Sequence, residues 1–277
     1  MPEAGTTDHL CWVYDDDAVF DRAVTQFLSG GLERGERLLC VGEQVIDSLR
    51  GLPLSAEDVG ALIARGALQT QTTAQAYEAA GGFLPEDQLS HYEAATRQAL
   101  ADGYRGLRVV AEVSALAADP VTRAELLRWE QLADDLISRE AGFTAMCAYS
   151  GRLPREARTD VAAVHPLVHA AEGTQTFRVF SDGDRLVLAG SVDTFCADRL
   201  ARVLAAAPVG PDRAVLDLSL LQFVDVAGCR VLVHWARGLH DRRLRLEVRG
   251  ASRLVRRMWG IITLGTLVSV DFEEAAA

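Results

Sequence analysis

Short apolar runs of strand length alternate with amphipathic stretches of helix length through the first 150 residues, and that alternation restricts the chain to a layered α/β fold. The runs are His9–Tyr14, Arg37–Gly42, Leu107–Val113 and Phe143–Tyr149. The helices between them have legible ends. Asp16 and Asp17 precede a 3.6-period stripe of Val19, Phe20, Ala23, Val24, Phe27 and Leu28, and Gly35 is placed to cap its C-terminus. Pro85 opens a second helix that Gly103 closes. Asp119-Pro120 starts a third, whose stripe of Leu132, Ala133, Leu136 and Ile137 ends before Gly142. Strand, helix, strand in this order predicts a parallel sheet with helices on its faces.

The pattern weakens from 151 to 175, which places a boundary there and divides the chain into units 1–170 and 171–277. The second unit opens with a hairpin, Phe177–Phe180 and Arg185–Ala189 around a tight Asp182-Gly183 turn. A helix from Thr194 to Ala207, a strand Ala214–Leu218, a helix Val226–Leu239, a strand Leu244–Val248, a helix from Ser252 and a strand Thr266–Phe272 complete it. A mixed sheet with helices is expected.

Composition removes several chemistries. All 28 basic residues are arginine, and without lysine neither a P-loop nor Schiff-base or pyridoxal chemistry can be built. No cofactor motif is present and none is expected. Residues 1–160 hold 26 acidic and 14 basic side chains, against 13 and 14 in 161–277, so the acidic charge sits in the first unit. An acidic chain is a poor nucleic-acid binder, because neutralising phosphates supplies most of that affinity. The five scattered cysteines, Cys11, Cys40, Cys147, Cys196 and Cys229, read as buried, reduced thiols. No apolar run of about eighteen residues occurs and Met1 to His9 carries no leader pattern, so no membrane partner is expected and the cytoplasm is the expected compartment.

Hairpin, helix, strand, helix, strand, helix, strand in the second unit resembles the STAS domain of anti-sigma factor antagonists, over about Thr174–Phe272. Gly190-Ser-Val-Asp193 is similar to that family's strand end before its first helix, and Ala214 to Gly228 is similar to its central strand and loop. The resemblance implies docking to an anti-sigma factor or serine kinase-like protein through Asp193, Asp225, Val226, Ala227 and Gly228. In the family the loop carries a serine or threonine whose phosphorylation releases the partner, since two negative charges in a docking surface repel and desolvate. Here Val226 stands at that position and Ala227 offers no substitute, so the loop implies the permanently unphosphorylated form. Asp225 is the expected N-cap and Gly228 permits close approach. The plainer alternative is that Val226 packs at the first helical turn.

The first unit resembles the MEDS domain, a sensory domain of methanogens and methylotrophs, over about Asp8–Ala170. The residues are His9–Tyr14 before an acidic helix start, Gly35–Gly42, Gly103–Glu112, Met146–Tyr149 and His165-Pro166. The resemblance implies a RecA-like parallel sheet without a P-loop and a small organic ligand. The residues expected to take that ligand are His9, Cys11, Tyr14, Glu112, Cys147, Tyr149 and His165. Independently, ligands in open parallel sheets bind beyond the carboxyl ends of the strands, which nominates Tyr14, Gly42, Glu112, Ser114 and Tyr149. A carboxylate inside Val109–Val113 must be desolvated or paired, so Glu112 is either a hydrogen-bonded structural group or a ligand contact.

Parity adds detail. His9 and Cys11 share one face of a strand, as do Cys147 and Tyr149. They offer nitrogen and sulfur to zinc, but no CxxC pair or closed four-ligand spacing accompanies them, so no metal is expected. His9 and Tyr14 lie roughly 16 Å apart along an extended strand, too far for one small pocket. His165 and His169 have helical metal spacing, although Pro166 reads more naturally as a helix N-terminus. Arg242, Arg243, Arg245, Arg249, Arg253, Arg256 and Arg257 form a basic cluster, read first as a solvated face, second as a dock for an acidic surface and third as a nucleic-acid contact, for which no recognition motif is present.

The expectation is a two-domain signalling regulator and not an enzyme, in which sensing is coupled to partner docking; a homodimer is compatible with it. The rival is a small-molecule enzyme using Glu112 with His9 or Cys147, though neither a GxSxG elbow nor an HExxH pair occurs.

Overall fold

The computed structural model describes residues 8–49, 58–77, 82–139, 142–171, 173, 175–263 and 270–273. The elements of the first unit are β1 (His9–Tyr14), α1 (Asp17–Arg34), β2 (Arg37–Val41), α2 (Glu43–Ser48), α3 (Val59–Ala64), β3 (Leu68–Gln71), α4 (Thr73–Tyr77) and α5 (Pro85–Ala101). They continue through β4 (Leu107–Glu112), α6 (Ser114–Ala118), α7 (Pro120–Arg139), β5 (Phe143–Ser150), α8 (Arg155–Ala162) and β6 (Leu167–His169). Six parallel strands form one sheet in the order β3-β2-β4-β5-β1-β6. The α/β expectation holds, with β3 and β6 added. Neither was anticipated from the sequence: β3 is short and polar, and only Leu68 of it is buried.

The second unit comprises β7 (Phe177–Asp182), β8 (Arg185–Val192), α9 (Ala197–Ala206), β9 (Arg213–Asp217), β10 (Leu221–Val224), α10 (Val226–Asp241), β11 (Arg245–Arg249), α11 (Arg253–Ile262) and β12 (Val270–Phe272). β7 pairs antiparallel with β8, and the parallel strands run β10-β8-β9-β11-β12, a mixed sheet. The expected last strand began at Thr266; residues 266–269 lie outside the described residues, and β12 supplies the rest.

Two expectations are corrected. His165-Pro166 does not open a helix: the chain leaves α8 through a turn and enters β6, which pairs with β1. Proline suits that strand entry as well as a helix start, because it fixes φ in either place. The helix expected from Thr194 begins at Ala197, because Asp193 first makes a turn, its Oδ1 accepting from the N–H groups of Phe195 (3.0 Å) and Cys196 (3.2 Å).

The parallel sheet is buried on both faces, and strand alternation sorts its side chains. Leu10, Trp12, Tyr14, Cys40, Val110 and Met146 pack with Phe20, Val24 and Phe27 of α1. Cys11, Val13, Val109, Cys147 and Tyr149 pack on the opposite face with α5 and α7. Helix α7 begins where Asp119 Oδ1 accepts from the N–H groups of Val121 (2.8 Å) and Thr122 (3.1 Å). It touches β1 and β5 of the first unit as well as β7 and α9 of the second. The cores of the two units are therefore continuous through α7.

Candidate functional site

A fully buried group of polar side chains lies between α7 and the sheet. Glu130 and Asp134, one helical turn apart on α7, are 0 % and 2 % exposed and aim at β1. His9, at the start of β1, contacts both: Nδ1 is 3.2 Å from Asp134 Oδ1, and Nε2 is 3.1 Å from Glu130 Oε2. Parity along β5 delivers two further groups. Cys147 Sγ donates to Glu130 Oε2 at 3.1 Å and stands 3.5 Å from His9 Nε2. Tyr149 donates its hydroxyl to Glu130 Oε1 at 2.5 Å. After α8, His165 turns inward, its Nδ1 2.8 Å from the carbonyl of Val161 and its Nε2 3.4 Å from Glu130 Oε2. The rings of His9 and His165 lie 4.1 Å apart.

The electrostatics are those of a desolvated charge group. Burial lowers the basicity of His9, but Asp134 and Glu130 outweigh it and raise its pKa to about 9. Burial opposes ionisation of Glu130, and His165 and His9 more than reverse that, so its pKa is lowered. His165 moves the other way, lowered by burial and by the charge on His9. One imidazolium thus stands beside one neutral imidazole. The Cys11 and Cys147 thiols are pushed up, by burial first and by Glu130 second.

Of the seven residues expected to take a ligand, the structure brings together His9, Cys147, Tyr149 and His165 around Glu130, with Cys11 buried on the same face. Tyr14 and Glu112 are elsewhere. Tyr14 faces α1, and its hydroxyl donates to Glu112 Oε1 at 3.0 Å at the carboxyl edge of the sheet. The Ser114 hydroxyl also donates to Glu112 Oε1 and accepts from the Ser150 N–H at 2.7 Å. Burial raises the Glu112 pKa against these two donors. At Gly42 (φ 102°) a side chain would meet the Glu112 carbonyl at 2.9 Å, so Gly42 lets the loop close over that group. The pairing of Glu112 with His9 or Cys147 is not formed, because odd and even strand positions point to opposite faces. Glu130 and Asp134 were missed, although acids at i and i+4 within the apolar stripe of α7 were a readable signal.

Asp134 also reaches the second unit: its Oδ2 accepts from the backbone N–H of Ser181 in β7 at 2.5 Å. The loop expected to dock a partner is fixed by backbone and side-chain hydrogen bonds. The Asp225 N–H donates to the Val192 carbonyl (3.1 Å), and Asp225 Oδ1 caps α10 by accepting from the Gly228 N–H (2.9 Å). Val226 is 49 % exposed, so it does not pack at the first turn, and Phe195 on the adjoining loop is 91 % exposed. Ala227 is half-buried and Gly228 is buried.

A parallel sheet holding a buried polar group, joined to a mixed sheet with an exposed apolar loop, makes this a chain of two α/β modules. Residues 8–166 match the MEDS family, described as the methanogen/methylotroph, DcmR sensory domain, and the chain belongs to that family. Residues 177–269 match a STAS domain of the Mlab type. No curated protein matches the chain. Among the described residues no helix is long and apolar enough to cross a membrane.

Proposed function

We propose that this chain is a cytoplasmic signalling regulator in which the MEDS domain senses a small organic ligand and the STAS domain docks an anti-sigma factor or serine kinase-like protein. Partner switching here lacks the phosphate step, because Val226 occupies the acceptor position. The observation that carries the reading is Val226 itself: an apolar residue left 49 % exposed on a capped helix start, beside Phe195 at 91 %. Exposed apolar groups on a rigid loop suit a protein interface better than a core. Ligand binding shifts the population of domain arrangements across α7, and so changes access to the loop.

The test is affinity capture by the full chain of purified anti-sigma factors and serine kinases from the same genome, compared with Val226→Asp. Aspartate at the first helical position favours the helix, so the variant keeps the fold. A charge set into a docking surface costs more than about 1.4 kcal/mol, so its affinity is expected to drop at least about tenfold. Absence of any partner, or equal binding by the variant, refutes the reading.

A further inference from the structure

We propose that His9, Glu130, Cys147 and His165 form a binding site for a divalent transition metal ion of the zinc type. One donor atom from each lies within 4.8 Å of all the others, and all four residues are buried. Four of the separations are already short: 3.1 Å from Glu130 Oε2 to His9 Nε2, 3.1 Å from Glu130 Oε2 to Cys147 Sγ, 3.5 Å from Cys147 Sγ to His9 Nε2, and 3.4 Å from Glu130 Oε2 to His165 Nε2. A tetrahedral zinc with bonds of about 2.0–2.3 Å needs edges of about 3.3–3.8 Å. The protein therefore has to move little to close on an ion.

The surroundings of the two histidines carry the argument further. His9 Nδ1 faces the Asp134 carboxylate and His165 Nδ1 faces the Val161 carbonyl, so both acceptors fix the Nδ1–H form. Both Nε2 atoms then face Glu130 and Cys147, and that of His9 offers its lone pair to an ion once its proton leaves. Metal-binding histidines are held in this way, one ring nitrogen on a carboxylate or carbonyl and the other on the ion. His165 Nε2 is buried and makes no hydrogen bond, its 3.4 Å approach to Glu130 lacking the geometry for one. Tyr149 holds the second carboxylate oxygen of Glu130, leaving Oε2 for the cluster. Two imidazoles and a sulfur select zinc-like ions over magnesium or calcium, which prefer oxygen. Binding releases the Cys147 thiol proton and any proton on His9 Nε2, and the resulting thiolate and carboxylate offset the ion's two charges in a dry site.

The consequence for signalling rests on the proposed function. Asp134 holds His9 with one oxygen and the Ser181 N–H of the STAS hairpin with the other, so metal occupancy is felt across the domain junction. The experiment uses the full chain. Metal is measured by mass spectrometry in protein purified without chelator, then removed and replaced by cobalt(II). One metal per chain is expected, with the visible bands of four-coordinate cobalt and a thiolate-to-cobalt charge-transfer band. Cys147→Ser abolishes the charge-transfer band, and Cys40→Ser, on the opposite face of the sheet, keeps it. His165→Gln is expected to weaken cobalt binding at least about tenfold. Folded wild-type chain that lacks stoichiometric metal and gives no cobalt spectrum overturns the site, as does a charge-transfer band that survives Cys147→Ser. Should that variant fail to fold, the wild-type spectrum decides alone. Chain that takes up no metal yet docks its partner removes the metal site and leaves the signalling reading; chain that takes up metal and docks nothing does the reverse.

Discussion

Asp160 is the residue whose removal tests how the two domains are held together. It is 1 % exposed on α8. Its Oδ1 lies 3.2 Å from Arg199 Nε and 2.9 Å from an Arg202 terminal nitrogen, both on α9, and its Oδ2 lies 3.5 Å from Arg123 Nε on α7. One carboxylate therefore bridges three guanidinium groups, one from the first domain and two from the second. In Asp160→Ala, Arg123 keeps, among the described residues, only Glu156 at 4.0 Å, a carboxylate 60 % exposed. Breaking a buried pair by deleting one partner costs about 3–5 kcal/mol. Arg202, whose side chain is 44 % exposed, relaxes into solvent, which places the expected loss at the lower end, about 3 kcal/mol. With an unfolding entropy of about 2 cal/mol/K per residue, the melting temperature falls by about 5 °C. Differential scanning calorimetry measures this directly, with Arg202→Ala as the comparison, expected to lose less than about 1 kcal/mol. A melting point for Asp160→Ala equal to that of the wild type, or an equal loss in Arg202→Ala, refutes the reasoning.

Two further outcomes follow from the geometry. Burial raises the Glu112 pKa above its ordinary 4.5, so the folded state holds that proton more tightly than the unfolded state; the stabilising contribution is complete below pH 4.5 and is lost as pH rises through the folded value. Glu112→Gln is therefore expected to match or exceed wild-type stability at pH 7 and to flatten the pH dependence just above pH 4.5, read by melting temperature against pH; a large loss at pH 7 contradicts it. A side chain at Gly228 would stand 2.7 Å from both Val192 Cγ1 and Val224 Cγ2, stiff groups in the core, so Gly228→Ala is expected to cost about 1–3 kcal/mol in urea denaturation, and a change near zero would show that α10 shifts freely.

Much of this was readable along the chain. The strands β1, β2, β4 and β5, the Asp16 and Asp225 caps and the hairpin at Gly183 announce themselves because local periodicity and capping chemistry act within a few residues. The short β6 and β10 were invisible: a three- or four-residue strand has no period of its own, and exists because a neighbouring strand offers hydrogen bonds.

For the site, strand alternation alone sets parity: His9 and Cys11 share a face, Cys147 and Tyr149 share a face, and His9 cannot reach Tyr14. The fold makes the two faces one, through the parallel pairing of Cys11 with Cys147. It also decided that α7 lays Glu130 and Asp134 across that face and that His165 folds in from the turn after α8. Residues 9, 130, 147 and 165 form no spacing that a motif can hold, because a parallel sheet brings distant segments together by backbone pairing, and the side chains at the contact meet only after it has formed.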